Sequence, residues 1–339
     1  MIYPKFLSKG NTIGVPAPSS GAYDEPHINK YKSAKTKLEN MGYNVVLSEN
    51  YNKDKHGRSS DAKERAKEIN DMFSNKDIDF ITCLSGGEFL VEILPYIDFE
   101  IIKNNPKFIQ GFSDPTGLLI PITTKLDIAT IYGSNIGNYG IDNYIRSNNE
   151  NLEIISGNLV EQKSYEKYEN ERVASVTGTE GYNLDSDVEW KVLNNNKCHI
   201  SGRVLAGCFD LMSELAGTKY DGIKEYSEKY KEDGIVFLFD NCDYSKEEVL
   251  RTLWRMNELE YFKYCKGIVF GRFGRDIESY VGYESIEEML KDTVVNKLNI
   301  PIIFDADISH KGPNMTIING SIIDIEVEDG KAKVNMSLK

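Results

Sequence analysis

The first half of the chain alternates short apolar, β-branched runs with longer stretches whose apolar residues recur at helical spacing. Thr12 to Ser20 reads as a first strand running into a loop. His27 to Met41 predicts a helix, and Tyr43 to Ser48 a second strand. A polar stretch from Asn52 to Arg58 leads to a helix over Ser60 to Phe73. Asp79 to Gly87 predicts a third strand that ends at two glycines. Lys107 to Asp114 predicts a fourth, followed by a helix from Thr116 to Thr124. Ile128 to Asn135 predicts a fifth. Strands separated by helix-length segments need crossover connections, so the pattern implies an α/β fold with a mostly parallel sheet.

From Ser156 to Asn183 the chain is polar and has no apolar period, which predicts a boundary there. The expected organisation is a domain over residues 1–160, a linker over 161–183 and a second domain over 184–339. In the second half, His199 to Leu215 reads as strand, glycine-containing turn and helix. Gly234 to Asn241 predicts a strongly buried strand. Ser245 to Phe262 predicts an amphipathic helix, with Ser245 as N-cap and Glu248 at capping-box spacing. Gly267 to Phe273 and Pro301 to Ser309 predict further strands. Met315 to Lys339 reads as β-hairpins turned at Asn319-Gly320 and Asp329-Gly330. No internal repeat of fixed period is present.

Composition narrows the class. The 339 residues are enough for a full core and for two domains. Forty Lys+Arg against 53 Asp+Glu give a formal net charge of −13, which argues against a nucleic-acid polymer or an anionic membrane as partner. The N-terminus lacks a basic start followed by about 7–15 apolar residues, and no stretch approaches the roughly 20 needed to span a bilayer. A cytoplasmic protein is expected. The cysteines (Cys83, Cys198, Cys208, Cys242 and Cys265) are odd in number and widely spaced, which disfavours a disulfide framework or a zinc site.

Three segments carry candidate chemistry. In Phe108 to Thr116 a strand ends at Gly111-Phe112-Ser113, just ahead of a helix. That is the layout of a nucleophile elbow, although Pro115 stands where G-x-S-x-G has its second glycine. A Ser or Asp helix cap would look the same locally. Ser85-Gly86-Gly87-Glu88 follows a buried strand, and its glycines permit close backbone approach to a substrate, or simply a tight β-to-α turn. Asp305 to Asn314 places His310 after an apolar strand. His27, His56 and His199 lie in polar contexts and are expected at the surface. His310 is the natural general base for a serine, and Asp240, ending a buried strand, can orient it. The third reading of the early α/β domain, as dinucleotide-binding, lacks its fingerprint, because no G-x-G-x-x-G follows the first strand.

Seven collinear segments, from Gly14–Ser20 through Ser85–Lys107, Gln110–Leu119, Gly202–Thr218, Phe237–Trp254 and Lys266–Phe273 to Ser309–Ser321, resemble the LD-carboxypeptidase and microcin-immunity family of serine peptidases. The segment at Ser85, without the Arg and Tyr usual in murein-type members, is similar to the microcin-immunity branch. The resemblance implies an N-terminal flavodoxin-like parallel-sheet domain carrying the serine. It implies a C-terminal β/α domain of swivelling type carrying the acid and the histidine, with the site between them.

In this alignment Ser113 matches the nucleophile of G-[FY]-S-D. His310 matches the base of GHxxPN, with Ser309 replacing the glycine. The amides of Gly87 and Asp114 match the oxyanion hole, and Gly86 and Glu88 flank it as substrate-binding positions. The family acid is usually Glu, thirteen residues before a helix Leu. That spacing leads from Asp240 to Leu253, whereas a shift by one would leave Phe239 and no acid.

The implied protein is a homodimer that needs no metal or cofactor and hydrolyses a small peptide-like amide. The substrate would be a peptidyl or aminoacyl nucleotide of the microcin C kind, for which Trp190 is a candidate stacking platform unless it belongs to the core, or an L,D-linked murein tetrapeptide. The altered acid and GH motif leave a non-catalytic ligand-binding protein as the alternative from another class.

Overall fold

The computed structural model describes residues 1–275 and 278–339. Every apolar run of the first half becomes a strand: β1 (Thr12–Val15), β2 (Asn44–Leu47), β3 (Phe80–Thr82), β4 (Ile109–Gly111) and β5 (Thr130–Tyr132). They pair in parallel in the order β2-β1-β3-β4-β5. The crossovers contain α1 (Glu25–Asn40), α2 (Ala62–Ser74), α3 (Phe99–Asn104) and α4 (Thr116–Leu126), and α5 (Arg146–Ile155) follows β5.

Helix α1 starts two residues before the sequence pattern suggested. Asp24 caps it by accepting from the His27 amide, and Pro26 sits in the first turn, where no amide is needed. Its buried residues Tyr31, Ala34 and Leu38 fall on one face. Helix α4 is different: Thr116 through Thr124 are all buried, because it lies between the two halves.

The stretch expected as a linker is stitched into the fold. β6 (Gln162–Lys163) pairs with residues 333–334, and β7 (Lys167–Tyr168) pairs with β8 (Ser186–Asp187). β9 (Lys191–Val192) pairs with residues 303–304. Between them, residues 169–183 cross from one half to the other: the Glu169 amide donates to the Gly312 carbonyl, and the Asp142 amide donates to the Thr179 carbonyl at 2.8 Å each.

The second half is built on β10 (Lys197–Cys208), β11 (Ile235–Asp240), β12 (Cys265–Gly271) and β13 (Ile302–Ala306), parallel to one another. Its helices are α6 (Phe209–Leu215), α7 (Ile223–Lys229), α8 (Lys246–Glu258) and α9 (Ile286–Lys291). The reciprocal capping box of Ser245 and Glu248 is present at the start of α8.

Two expectations are corrected. No turn interrupts β10 at Gly207, and the strand runs straight into α6. A Cβ at Gly207 would lie 2.6 Å from Thr116 Cγ2, so the glycine permits close approach of α4 rather than a bend. Asn319-Gly320 is not a hairpin turn either. β14 (Ile317–Asn319) pairs antiparallel with β5 in the first sheet, while β15 (Ile322–Glu328) pairs with β10 in the second. Asp329-Gly330 does turn a hairpin into β16 (Lys331–Ser337), with left-handed φ of 47° and 78°. Among the described residues no helix is long and apolar enough to cross a membrane.

Candidate active site

The carboxyl ends of β4, β11 and β13 meet where the two sheets face each other, the position where parallel sheets gather functional groups. β4 ends at Gly111, and Ser113 follows with φ of 70°. A non-glycine residue in that region is strained, and such strain presents a side chain out of a tight turn. Two neighbours hold the turn. Asn135 accepts from the Phe112 amide at 3.0 Å and donates to its carbonyl at 3.1 Å. Gly111 is required, because a Cβ there would lie 2.5 Å from Pro115 Cβ.

Three side chains from both halves form one hydrogen-bonded line. His310 Nε2 lies 2.8 Å from Ser113 Oγ, and His310 Nδ1 lies 3.0 Å from Asp240 Oδ1. Asp240 is fully buried and the His310 side chain is 10% exposed. The shorter aspartate therefore reaches the imidazole without the extra methylene of a glutamate. Burial pulls the imidazolium down, but the charge and hydrogen bond of Asp240, with a contribution from Cys242, outweigh it and push His310 up to about 10. The Phe112 ring packs on the imidazole with centroids 4.8 Å apart.

The loop that presents His310 is braced by a buried ion pair. Asp307 accepts from Arg272 at 2.7 Å, from the Tyr165 amide at 2.9 Å and from Trp190 Nε1 at 2.9 Å. Arg272 in turn donates to the Lys311 carbonyl at 2.9 Å. Ser309 adds to this: its hydroxyl donates to the Arg272 carbonyl at 2.7 Å and accepts from the Lys311 amide at 2.9 Å.

The glycine turn after β3 faces the serine. A Cβ at Gly86 would lie 3.0 Å from Ser113 Cβ and 3.2 Å from its Oγ. At Gly87, φ is 155° and a Cβ would meet Ser19 Oγ at 2.2 Å. Among the described residues the amides of Gly87 and Asp114 donate to no other group, which leaves both available to a ligand oxygen. The Asp114 side chain turns away into the core, accepting from Ser19 and, at 3.0 Å, from the Leu90 amide. Glu88 is exposed.

A cleft of about 390 Å³ opens beside this line, with Phe112, Ser309 and His310 in its wall. His27, expected at the surface, lines it as well. Trp190 does not. The residue is 2% exposed, belongs to the core and donates through Nε1 to Asp307 rather than facing the cleft. Among the described residues no group of three or more His, Cys, Asp or Glu side chains is placed to hold a metal ion.

Two features had no signal in the motifs. Tyr132, the last residue of β5, donates to Asp240 Oδ2 at 2.7 Å. Asp210, on the first turn of α6, is 8% exposed, accepts from the Asp243 amide at 3.1 Å and leaves its second oxygen without a donor. Burial, with Asp240 and Asp243 nearby, pushes its carboxyl up to about 7. The position of Tyr132 at a strand end, one strand from the serine, is the pattern that could have flagged it.

A two-sheet α/β fold with a strained serine at a strand end and a histidine and acid from the second half is the frame of a serine-peptidase-type family. Residues 13–133 match the LD-carboxypeptidase N-terminal domain and residues 201–325 match the LD-carboxypeptidase C-terminal domain, so the chain belongs to the LD-carboxypeptidase family. It is similar to a putative carboxypeptidase of Vibrio cholerae, 26% identical over 92% of this chain and 91% of that one. It is also similar to the microcin C7 self-immunity protein of Escherichia coli, 25% identical over 95% of this chain and 92% of that one. The solved structure of that immunity protein in complex with aspartyl sulfamoyl adenosine shares the fold, with a TM-score of 0.80 at 23% identity over 100% of both chains.

Proposed function

We propose that this protein is a serine-type hydrolase that cleaves an amide bond in a small peptide-like molecule. In this reading Ser113 Oγ adds to the carbonyl carbon as His310 Nε2 takes its proton. The oxyanion accepts from the Gly87 and Asp114 amides. His310, oriented by Asp240, gives the proton to the leaving nitrogen and the carbon–nitrogen bond breaks. Water then adds to the acyl-serine with His310 again as base. A carboxylate leaves and Ser113 is restored.

The observation that carries this is the unbroken line Ser113–His310–Asp240, set beside two unengaged amides. A protein kept only for binding would have no use for a serine held at φ of 70° against an imidazole. The substrate favoured is an aminoacyl or peptidyl nucleotide of the microcin C kind, supported by the likeness to the microcin C7 self-immunity protein along most of both chains. The family's own name supports a second substrate, a murein tetrapeptide.

Mass analysis of products from aspartyl sulfamoyl adenosine and from murein tetrapeptide tests the reading. The unaltered chain is expected to release product from at least one. Ser113→Ala is expected to lose that turnover while keeping its thermal unfolding transition. Full turnover in Ser113→Ala would rule the mechanism out.

A further inference from the structure

The cleft beside His310 holds an ionic group with no partner. Among its charged side chains, Glu180 accepts from the Val176 and Gly178 amides at 3.1 and 2.9 Å and from the Thr177 hydroxyl at 2.8 Å. Glu169 accepts from the Asn183 and Val173 amides at 2.8 and 3.3 Å. His27 is held by Asp24 at 2.5 Å. Arg172 spends one nitrogen on a long bond of 3.4 Å to the His310 carbonyl. Lys30 is different. Among the described residues its ammonium has no hydrogen-bond acceptor and no carboxylate within 4.0 Å.

The fold makes room for this lysine. Its stem lies on the turn at Gly137, where a Cβ would sit 3.1 Å from Lys30 Cε. A side chain at residue 137 would press on that stem. Burial, then the facing charge of Arg172, lowers its pKa, while Glu180 and Glu169 act in the opposite sense. An ammonium in this setting gains most from an anion that brings its own charge into the cleft. The chain carries a formal −13, so its overall field opposes an anionic ligand and attraction must come from local cations.

We propose that Lys30, with Arg172 opposite, is a carboxylate subsite that reads an acidic group on the substrate. This rests on the cleft being the substrate cleft of the hydrolase above. Two sources share that chemistry: the free C-terminus of a peptide, and the side chain of an acidic aminoacyl group. The first belongs to the leaving group and the second to the acyl part, so the source also fixes which way the scissile bond runs past Ser113. Glu169 and Glu180 accept from their own loop and act on Lys30 only through their charge, so its donors stay free for a ligand.

Binding to the full chain carrying Ser113→Ala tests the subsite without turnover. One pair of probes is murein tetrapeptide and its C-terminal amide; the other is aspartyl and asparaginyl sulfamoyl adenosine. In at least one pair the acid is expected to bind about ten- to hundredfold more tightly than the amide. Adding Lys30→Met is expected to reduce that preference to about twofold or less, and Lys30→Arg to keep most of it. The pair that discriminates identifies the source. Equal binding of acid and amide in both pairs, no binding of any probe, or a preference unchanged by Lys30→Met overturns the subsite. Hydrolysis of the same probes by the chain with Ser113 intact is scored separately. Discrimination without hydrolysis sinks the hydrolase and leaves the subsite standing.

Discussion

The Tyr132 hydroxyl donates to Asp240 Oδ2 at 2.7 Å, and it lies 3.4 Å from the Ser113 amide, which donates to it. Tyr132 ends a strand of the first sheet and Asp240 ends a strand of the second. The acid that steers the histidine is therefore itself steered from the serine's side. Burial, followed by the Asp240 charge, raises the phenol well above its ordinary range, so it stays a donor. Tyr132→Phe removes this bond and leaves a buried carboxylate oxygen unpaired. The expected result is a fall in kcat of about tenfold or more, with KM little changed. Steady-state kinetics decide it; an unaltered kcat would mean the bond only packs the interface.

The His310–Asp240 pair sets a pH dependence. A histidine whose pKa is pushed up to about 10 is protonated at neutral pH and cannot yet act as a base. As pH rises toward that value the neutral imidazole accumulates, so kcat/KM should climb from pH 7 to about 9. Asp240→Asn removes the charge that holds the proton. Its acid limb should move to lower pH, while the plateau falls by about a thousandfold or more. A flat profile in the unaltered chain over this interval would contradict the assignment.

Gly86 faces Ser113 from the opposite wall. A methyl group there would stand 3.2 Å from Ser113 Oγ, closer than ordinary contact. Gly86→Ala should displace the serine by a few tenths of an ångström and lower kcat by about ten- to hundredfold. Because the turn is at the surface of the cleft, the melting temperature should move little. A large loss of stability with normal kcat would reverse the interpretation.

Asp210 bears on stability rather than turnover. Its folded-state pKa of about 7 stands above the ordinary carboxylate value. Such a group favours the fold fully at low pH and loses that contribution as pH rises through about 7, when an under-partnered carboxylate must ionise inside the protein. Asp210→Asn should therefore be more stable than the parent at pH 8, by about 2–4 kcal/mol, and equal to it near pH 4. Denaturant unfolding at the two values measures the difference.

What could be read in the sequence was local. The strand-to-helix segments gave the parallel sheet, because a run such as Phe80 to Thr82 has few other ways to be buried. Ser113, Asp240 and His310 stand at strand ends inside short motifs, so each was visible one segment at a time. Partners set by long-range pairing were not. Lys30 sits on an ordinary helix face, and only the packing of that helix against the Gly137–Gly140 turn aims it at the cleft. Trp190 could be read as core or as a stacking platform, because nothing in its neighbourhood announces Asp307, 117 residues away. Asn319-Gly320 has the composition of a hairpin turn, yet Ile317 to Asn319 found a better edge on β5.

That last choice has a consequence for biosynthesis. β14 occupies the side of β5 that would otherwise be an open sheet edge, and it is made after β13 and every helix from α1 to α9. A ribosome-bound fragment containing every helix of the first domain still presents an unpaired, apolar strand beside its serine turn. Such an edge invites pairing with other chains. Truncation just before Ile317 should then yield aggregation rather than a soluble first domain. The line from Ser113 to Asp240 likewise cannot close on the nascent chain before His310 has been made.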